Sequence, residues 1–209
     1  MKNLKTKGLA LSQSKGFTLI ELLIVIGILA ILVTITIVIL NPAQMFAQAR
    51  DSQRMTDLET INKAISYYLA GATTPDMDDA YGGFCGTNFT STFGAGATTS
   101  LRCGGTCTYQ SLTAGATTTV SGDGWVPIDF TQMFTGATIS DLPIDPTNTG
   151  GSTGLAYSYG CNNTTKTYEL NANLESERYS TGGSDDRESR DGGNQTTLYE
   201  TGNDPALDL

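Results

Sequence analysis

The chain of 209 residues contains no histidine. A Ser-His-Asp or Cys-His catalytic site needs an imidazole that takes up and returns a proton, so both are excluded. The four cysteines include no Cys-x-x-Cys pair, which with the missing histidine argues against zinc. No glycine-rich loop leads into Lys-Ser or Lys-Thr, so there is no ATPase phosphate-binding motif. We therefore expect a protein that is not an enzyme, uses no cofactor and has no metal centre of this kind.

Basic residues are scarce, with 12 Lys and Arg against 21 Asp and Glu and a formal net charge of −9. Four of the lysines, Lys2, Lys5, Lys7 and Lys15, lie in an N-terminal leader without any acidic residue. Without residues 1–16 the formal charge becomes −13. Nucleic-acid binding needs clustered Lys and Arg, so we expect no nucleic-acid partner for the isolated chain.

Polar residues are nearly absent from Phe17 to Leu40, where Glu21 is the one ionisable side chain. Twenty-four residues make a helix of about 36 Å, enough to cross a hydrocarbon core of about 30 Å. A helix that is apolar all round needs lipid or copies of itself around it. The four leader lysines keep the leader in the cytoplasm and predict that the C-terminal part is exported.

Glu21 is costly in such a segment, by about 2.5–3.5 kcal/mol at the membrane centre and less near an end. If the chain were cut after Gly16, Phe17 would carry a new α-amino group. Glu21 would then lie in the first helical turns and could pair with the amine of a neighbouring copy. The alternative is a plain N-terminal membrane anchor in which Glu21 has no such role.

Gly16-Phe17-Thr18-Leu19-Ile20-Glu21-Leu22 resembles the prepilin processing site of type IV pilins and type II secretion pseudopilins. The resemblance implies that a membrane prepilin peptidase cuts after Gly16 and methylates Phe17. It also implies that Glu21 neutralises an adjacent subunit's N-terminus during assembly into a helical homopolymer by a pilus or secretion assembly platform. The protein would reside in the cytoplasmic membrane first, and then in an extracellular or periplasmic filament.

The pattern changes after the apolar run. Asn41-Pro42 predicts a kink, because proline lacks a backbone donor and clashes with the preceding turn. Residues 41–70 predict an amphipathic helix, whose apolar stripe forms core against a sheet. That stripe consists of Leu58, Ile61, Ile65 and Tyr68 or Leu69. Asp51 with Arg54, and Arg54 with Asp57, have the spacing of weak surface ion pairs.

Residues 71–179 predict a β-rich head. The β-branched run 117–120 predicts a strand. Residues 155–160 and 166–172 alternate with period two and predict a hairpin that covers the helix stripe. The predicted fold is therefore α+β, with a long N-terminal helix packed on a small antiparallel sheet. Its Leu-Pro-x-Asp-Pro, Tyr-x-Tyr and Tyr-Glu-Leu segments also resemble the C-terminal region of pilins and pseudopilins.

All four cysteines, Cys85, Cys103, Cys107 and Cys161, lie in the exported part. An even number in an oxidising compartment predicts two disulfides, with three possible connectivities. A Cys103–Cys107 bridge would close a very small loop, so we favour Cys85–Cys103 with Cys107–Cys161.

Residues 180–209 are polar and glycine-rich, and they predict a flexible tail. The resemblance to pseudopilins makes its carboxylates calcium candidates, namely Asp185, Asp186, Glu188 and Asp191. Their spacing fits no EF-hand and two arginines lie among them, so a solvated charge run is the favoured interpretation.

The sequence thus predicts a structural pilin subunit. A pseudopilin of a type II secretion system is the first alternative, and a monomeric membrane-anchored exported binding domain is the second. The sequence does not distinguish adhesion, motility, DNA uptake and secretion, nor a major from a minor subunit.

Overall fold

A computed structural model describes residues 16–78, 85, 88–91, 108–109, 118–134, 136–149 and 154–209. The chain divides into two compact units, Met1–Pro42 and Ala43–Leu209. The first holds the apolar helix, and the second, here called the head, holds the sheet and its core.

Helix α1, Leu19–Leu40, has no buried residue. By length and composition it can span a membrane. It ends at Asn41, whose φ of 39° is left-handed, a conformation that asparagine tolerates better than most residues. The next helix begins at Pro42, where the missing N–H is not needed by the helix. The predicted interruption at Asn41-Pro42 is therefore confirmed.

Helix α2, Pro42–Gly71, buries one face in the head. Leu58, Ile61, Ile65 and Tyr68 are fully buried, so the predicted apolar stripe is confirmed as core.

The five-stranded sheet covers that face in the order β2-β1-β3-β4-β5. Its strands are β1 Asn88–Ser91, β2 Thr108–Tyr109, β3 Tyr157–Asn162, β4 Thr167–Ala172 and β5 Tyr199–Gly202. All neighbouring pairs are antiparallel except β1 with β2.

The predicted hairpin is the β3–β4 pair. Tyr159 lies opposite Leu170, and Tyr157 lies opposite Ala172. These side chains join the α2 stripe in one hydrophobic core, which confirms the α+β fold.

The predicted strand at 117–120 is wrong for its described part, Thr118–Val120, which is irregular. Two backbone hydrogen bonds hold it instead, from the Leu142 N–H to the Thr118 carbonyl and from the Phe130 N–H to the Val120 carbonyl. The β-branched side chains favour extended backbone, but the glycine-rich turn that follows sends the chain into a loop. Thr117 lies outside the described residues.

The expectation of a flexible tail at 180–209 is also wrong. Strand β5 pairs with β4 along four residues of each strand. Leu198 and Leu207 are buried, and they anchor the polar segments around them. The prediction relied on the average composition of the segment, which is polar, and so it overlooked these two leucines.

Candidate functional site

The N-terminal end of α1 is built around Thr18 and Glu21. Thr18 is the N-cap, and its N–H and hydroxyl both donate to Glu21 Oε2, at 2.9 and 2.7 Å. The Glu21 N–H donates in return to Thr18 Oγ1, at 3.3 Å. This reciprocal capping box satisfies backbone donors that the first helical turn leaves unpaired. Glu21 is thereby fixed in the first turn of α1.

The predicted cleavage site lies directly before this cap. Gly16 and Phe17 are outside the helix, and the Phe17 side chain is 82% exposed. No neighbouring atom lies within 4 Å of where a Gly16 side chain would be. The bond between them is therefore accessible in the described structure.

Helix α1 offers an apolar surface on every side. Its large side chains from Leu19 to Leu40 are all 45–88% exposed. Within the described residues, no lysine or arginine forms an ion pair with Glu21. Among the described residues, neither the apolar surface nor the carboxylate therefore has a covering or charged partner.

Residues 11–37 match a family described as the prokaryotic N-terminal methylation motif. The chain carries a prepilin-type methylation motif. This motif is the hallmark of type IV pilins and pseudopilins, and it includes Gly16, Phe17 and Glu21. The match supports a pilin-like or pseudopilin subunit without distinguishing a pilus from a secretion role. No curated protein and no solved structure matches the chain.

The head contains a buried ionic cluster that sequence reasoning missed. Arg54 is fully buried, and its guanidinium donates to Asp145, Asp51 and Glu175, each at 2.7 Å. The expected pair of Asp51 with Arg54 does form, but both side chains are buried, so its placement at the surface is wrong. The expected Arg54–Asp57 pair is also replaced, because Asp57 accepts a hydrogen bond from the Tyr157 hydroxyl at 2.8 Å.

This cluster ties α2 to two loops, one holding Asp145 and one holding Glu175. Burial alone would raise the pKa of Asp145, but the Arg54 guanidinium and the nearby N–H donors outweigh it and hold that pKa below its ordinary value. At Glu175, hydrogen bonds from Arg50 and Arg54 lower the pKa in the same way. The sequence did hold a signal: Arg54 lies four residues before Leu58, one turn further along the apolar stripe.

The disulfide joins Cys85 to Cys161, so the favoured pairing of Cys85 with Cys103 and of Cys107 with Cys161 is wrong. Strand β1 pairs with β3 in a register that places Phe89 opposite Gly160. This register brings the segment near Cys85 beside Cys161, although 76 positions separate them. Chain spacing cannot reveal that adjacency. Cys103 and Cys107 lie outside the described residues.

The calcium candidates mostly bind backbone N–H groups. Asp186 accepts from Gly182 and Ser189, at 2.9 and 3.0 Å. Glu188 accepts from Leu174 and Thr181, at 3.1 and 2.9 Å. These two carboxylates therefore organise the loops of residues 174–189.

The other two candidates follow the same pattern or pair with arginine. Asp191 accepts from the Gly193 and Glu200 N–H groups, and Asp185 forms ion pairs with Arg178 and Arg187. In the described ranges, no group of three or more acidic or cysteine side chains is arranged to hold a metal ion.

Proposed function

We propose that the chain is a structural subunit of a type IV pilus-like filament, processed between Gly16 and Phe17 and assembled through α1. The observation that carries the proposal is a glutamate in the first turn of a helix that is apolar on every side, within a prepilin-type methylation motif. Lipid covers α1 before assembly, and other copies cover it afterwards.

Glu21 requires a cation, because an unpaired carboxylate in apolar surroundings is strongly disfavoured. Thr18 provides hydrogen bonds to one carboxylate oxygen but no charge. Cleavage after Gly16 creates an amine at Phe17, and methylation of an amine preserves its positive charge. The Phe17 amine of a neighbouring copy is therefore the complementary partner for Glu21.

This pairing sets the register of assembly. A subunit at the wrong axial stagger would leave a carboxylate and an amine apart in apolar surroundings, and only the correct stagger satisfies both. The contact is head-to-tail, and such contacts produce an open helical fibre when the rotation does not close.

A secretion pseudopilus is the second candidate, favoured by the Tyr168-Glu169-Leu170 segment of the β3–β4 hairpin. Neighbouring genes for a retraction motor would support a surface pilus, and an outer-membrane secretin with secretion components would support a pseudopilus.

The proposal is tested with Glu21→Val, which removes the charge and keeps an apolar side chain. We expect normal cleavage and membrane insertion, but loss of filaments in sheared fractions and in electron micrographs. Breaking a buried ion pair costs about 3–5 kcal/mol, so each subunit contact would weaken by about 100-fold or more.

Thr34→Val is the matched control within α1, because the Thr34 hydroxyl only donates to the Ala30 carbonyl of the same helix. It should assemble like the wild type. Wild-type amounts of filament from Glu21→Val would remove the assembly role of Glu21.

A further inference from the structure

Two glutamates are buried on the sheet face opposite α2. Side chains alternate along β4, so Tyr168 and Leu170 enter the core while Glu169 points to the other face. Glu200 of β5 lies opposite Asn171, on the same face as Glu169. Glu169 is fully buried and Glu200 is 2% exposed.

Both carboxyl groups hold the end of the chain, residues 191–209, here called the C-terminal segment. Glu169 accepts from the Leu209 N–H at 3.1 Å, and Glu200 accepts from the Gln195 N–H at 2.8 Å. The Gly193 backbone packs directly against the Glu200 carboxyl group, with no room for a side chain. Glu169 and Glu200 lie at diagonally adjacent positions on this face, because Glu169 pairs with Gly202 and Asn171 pairs with Glu200.

The charged surroundings do not neutralise this pair. Asp191 faces Glu200 and adds a further negative charge. Other ionisable side chains line the cavity beside Glu200, namely Asp185, Asp186, Arg187, Arg190 and Tyr199. Within the described residues, no arginine or lysine forms an ion pair with Glu169 or Glu200.

Two carboxylates that are buried at adjacent positions without a cation cannot both stay ionised at low cost, so we infer that the pair retains one proton. Burial is the main cause at both residues; the charge of Glu200 adds to it at Glu169, and the charge of Asp191 adds to it at Glu200. Together they raise the pKa values of the pair from 4.5 to about 8 and about 7.

We propose that the proton retained by Glu169 and Glu200 is a latch that keeps the C-terminal segment docked on β4 and releases it at alkaline pH. The docked state binds more protons than the released state between pH 4.5 and about 8. Docking therefore weakens as pH rises through this interval, and the full cost of ionisation is reached above it. Mildly acidic conditions favour the docked segment.

The test is hydrogen exchange of the full chain in detergent micelles, with protection factors corrected for the intrinsic pH dependence of exchange. Protection of the β5 amides, Tyr199–Gly202, should fall at least about tenfold between pH 6 and pH 9. Glu169→Gln keeps an uncharged hydrogen-bonding side chain, so it should make this fall clearly smaller, leaving only the part that Glu200 contributes. Asp208→Asn makes the same charge change at an exposed position of the C-terminal segment, and it should retain the wild-type profile.

A constant wild-type protection between pH 6 and pH 9 would overturn the latch, and so would an unchanged profile in Glu169→Gln. If that variant does not fold, carboxyl ¹³C titration of the wild type decides. A carboxyl signal that titrates near neutral pH supports the latch, whereas titration of all glutamates below pH 5.5 refutes it.

Discussion

The two units of the chain differ in whether their apolar side chains are exposed or buried. In α1, none of the 22 residues is buried, although nearly all of them are apolar. In the head, α2 and the sheet bury a continuous core that includes Leu58, Ile61, Tyr159 and Leu170. The head therefore obtains its stability within one chain, whereas α1 depends on lipid or on other copies.

The two units also differ in how they treat a charge in apolar surroundings. Arg54 finds three carboxylates within its own chain. Glu21 finds hydrogen bonds from Thr18 but no ion pair among the described residues. The internal ion pairs of Arg54 indicate a folding role, and the missing counter-charge for Glu21 within the described residues supports the assembly role that we propose for it.

Removing the buried Arg54, whose charge is paired within the head, should lower the stability of the head more than any other change considered. Arg54→Ala leaves Asp51 and Asp145 buried without their cation, so we expect the free energy of unfolding to fall by about 3–5 kcal/mol. Urea denaturation of the full chain in micelles, followed by fluorescence of the single tryptophan, Trp125, measures this loss.

Arg50→Ala is the matched control, because its side chain is 36% exposed and, among the described residues, it forms an ion pair only with Glu175. Its cost should be at most about 1 kcal/mol. Equal costs for the two variants would show that burial does not set the importance of these arginines.

Truncating an apolar side chain should destabilise the head only where that side chain is buried in its core, and the loss should be smaller than that of Arg54→Ala. Leu170→Ala removes a fully buried core side chain and should lower the free energy of unfolding of the head by about 2–5 kcal/mol. Ile31→Ala makes a similar truncation in α1, where the side chain is 63% exposed, and should leave head unfolding unchanged. The same denaturation measurement applies to both. An equal loss in both variants would contradict the division of the chain into an internally stabilised head and an externally stabilised helix.

Local patterns predicted the features that depend on neighbouring residues. The apolar run, the interruption at Asn41-Pro42, the stripe of α2 and the β3–β4 hairpin are all visible from spacing within a few turns or strands. Features that join distant segments were missed. The Cys85–Cys161 bridge depends on the register of β1 with β3. Strand β5 forms because its backbone pairs with the edge of β4, which lies far away in the sequence.

The buried Arg54 cluster was missed for a related reason. Charge spacing along one helix gives the same pattern for a solvated pair and for a buried one. What distinguishes them is the presence of Asp145 and Glu175, which lie 91 and 121 positions away. For Gly16, Phe17 and Glu21, by contrast, the decisive residues are consecutive or nearly so, and the family match at residues 11–37 covers all three.

The assembly that we propose requires Glu21 to pair with an amine that exists only after processing. Mass spectrometry of the N-terminal peptide from the purified protein tests it most directly. We expect a chain that begins at Phe17 with a methylated α-amino group. A chain that begins at Met1, or at an unmodified residue elsewhere, would contradict it and leave a membrane-anchored exported domain.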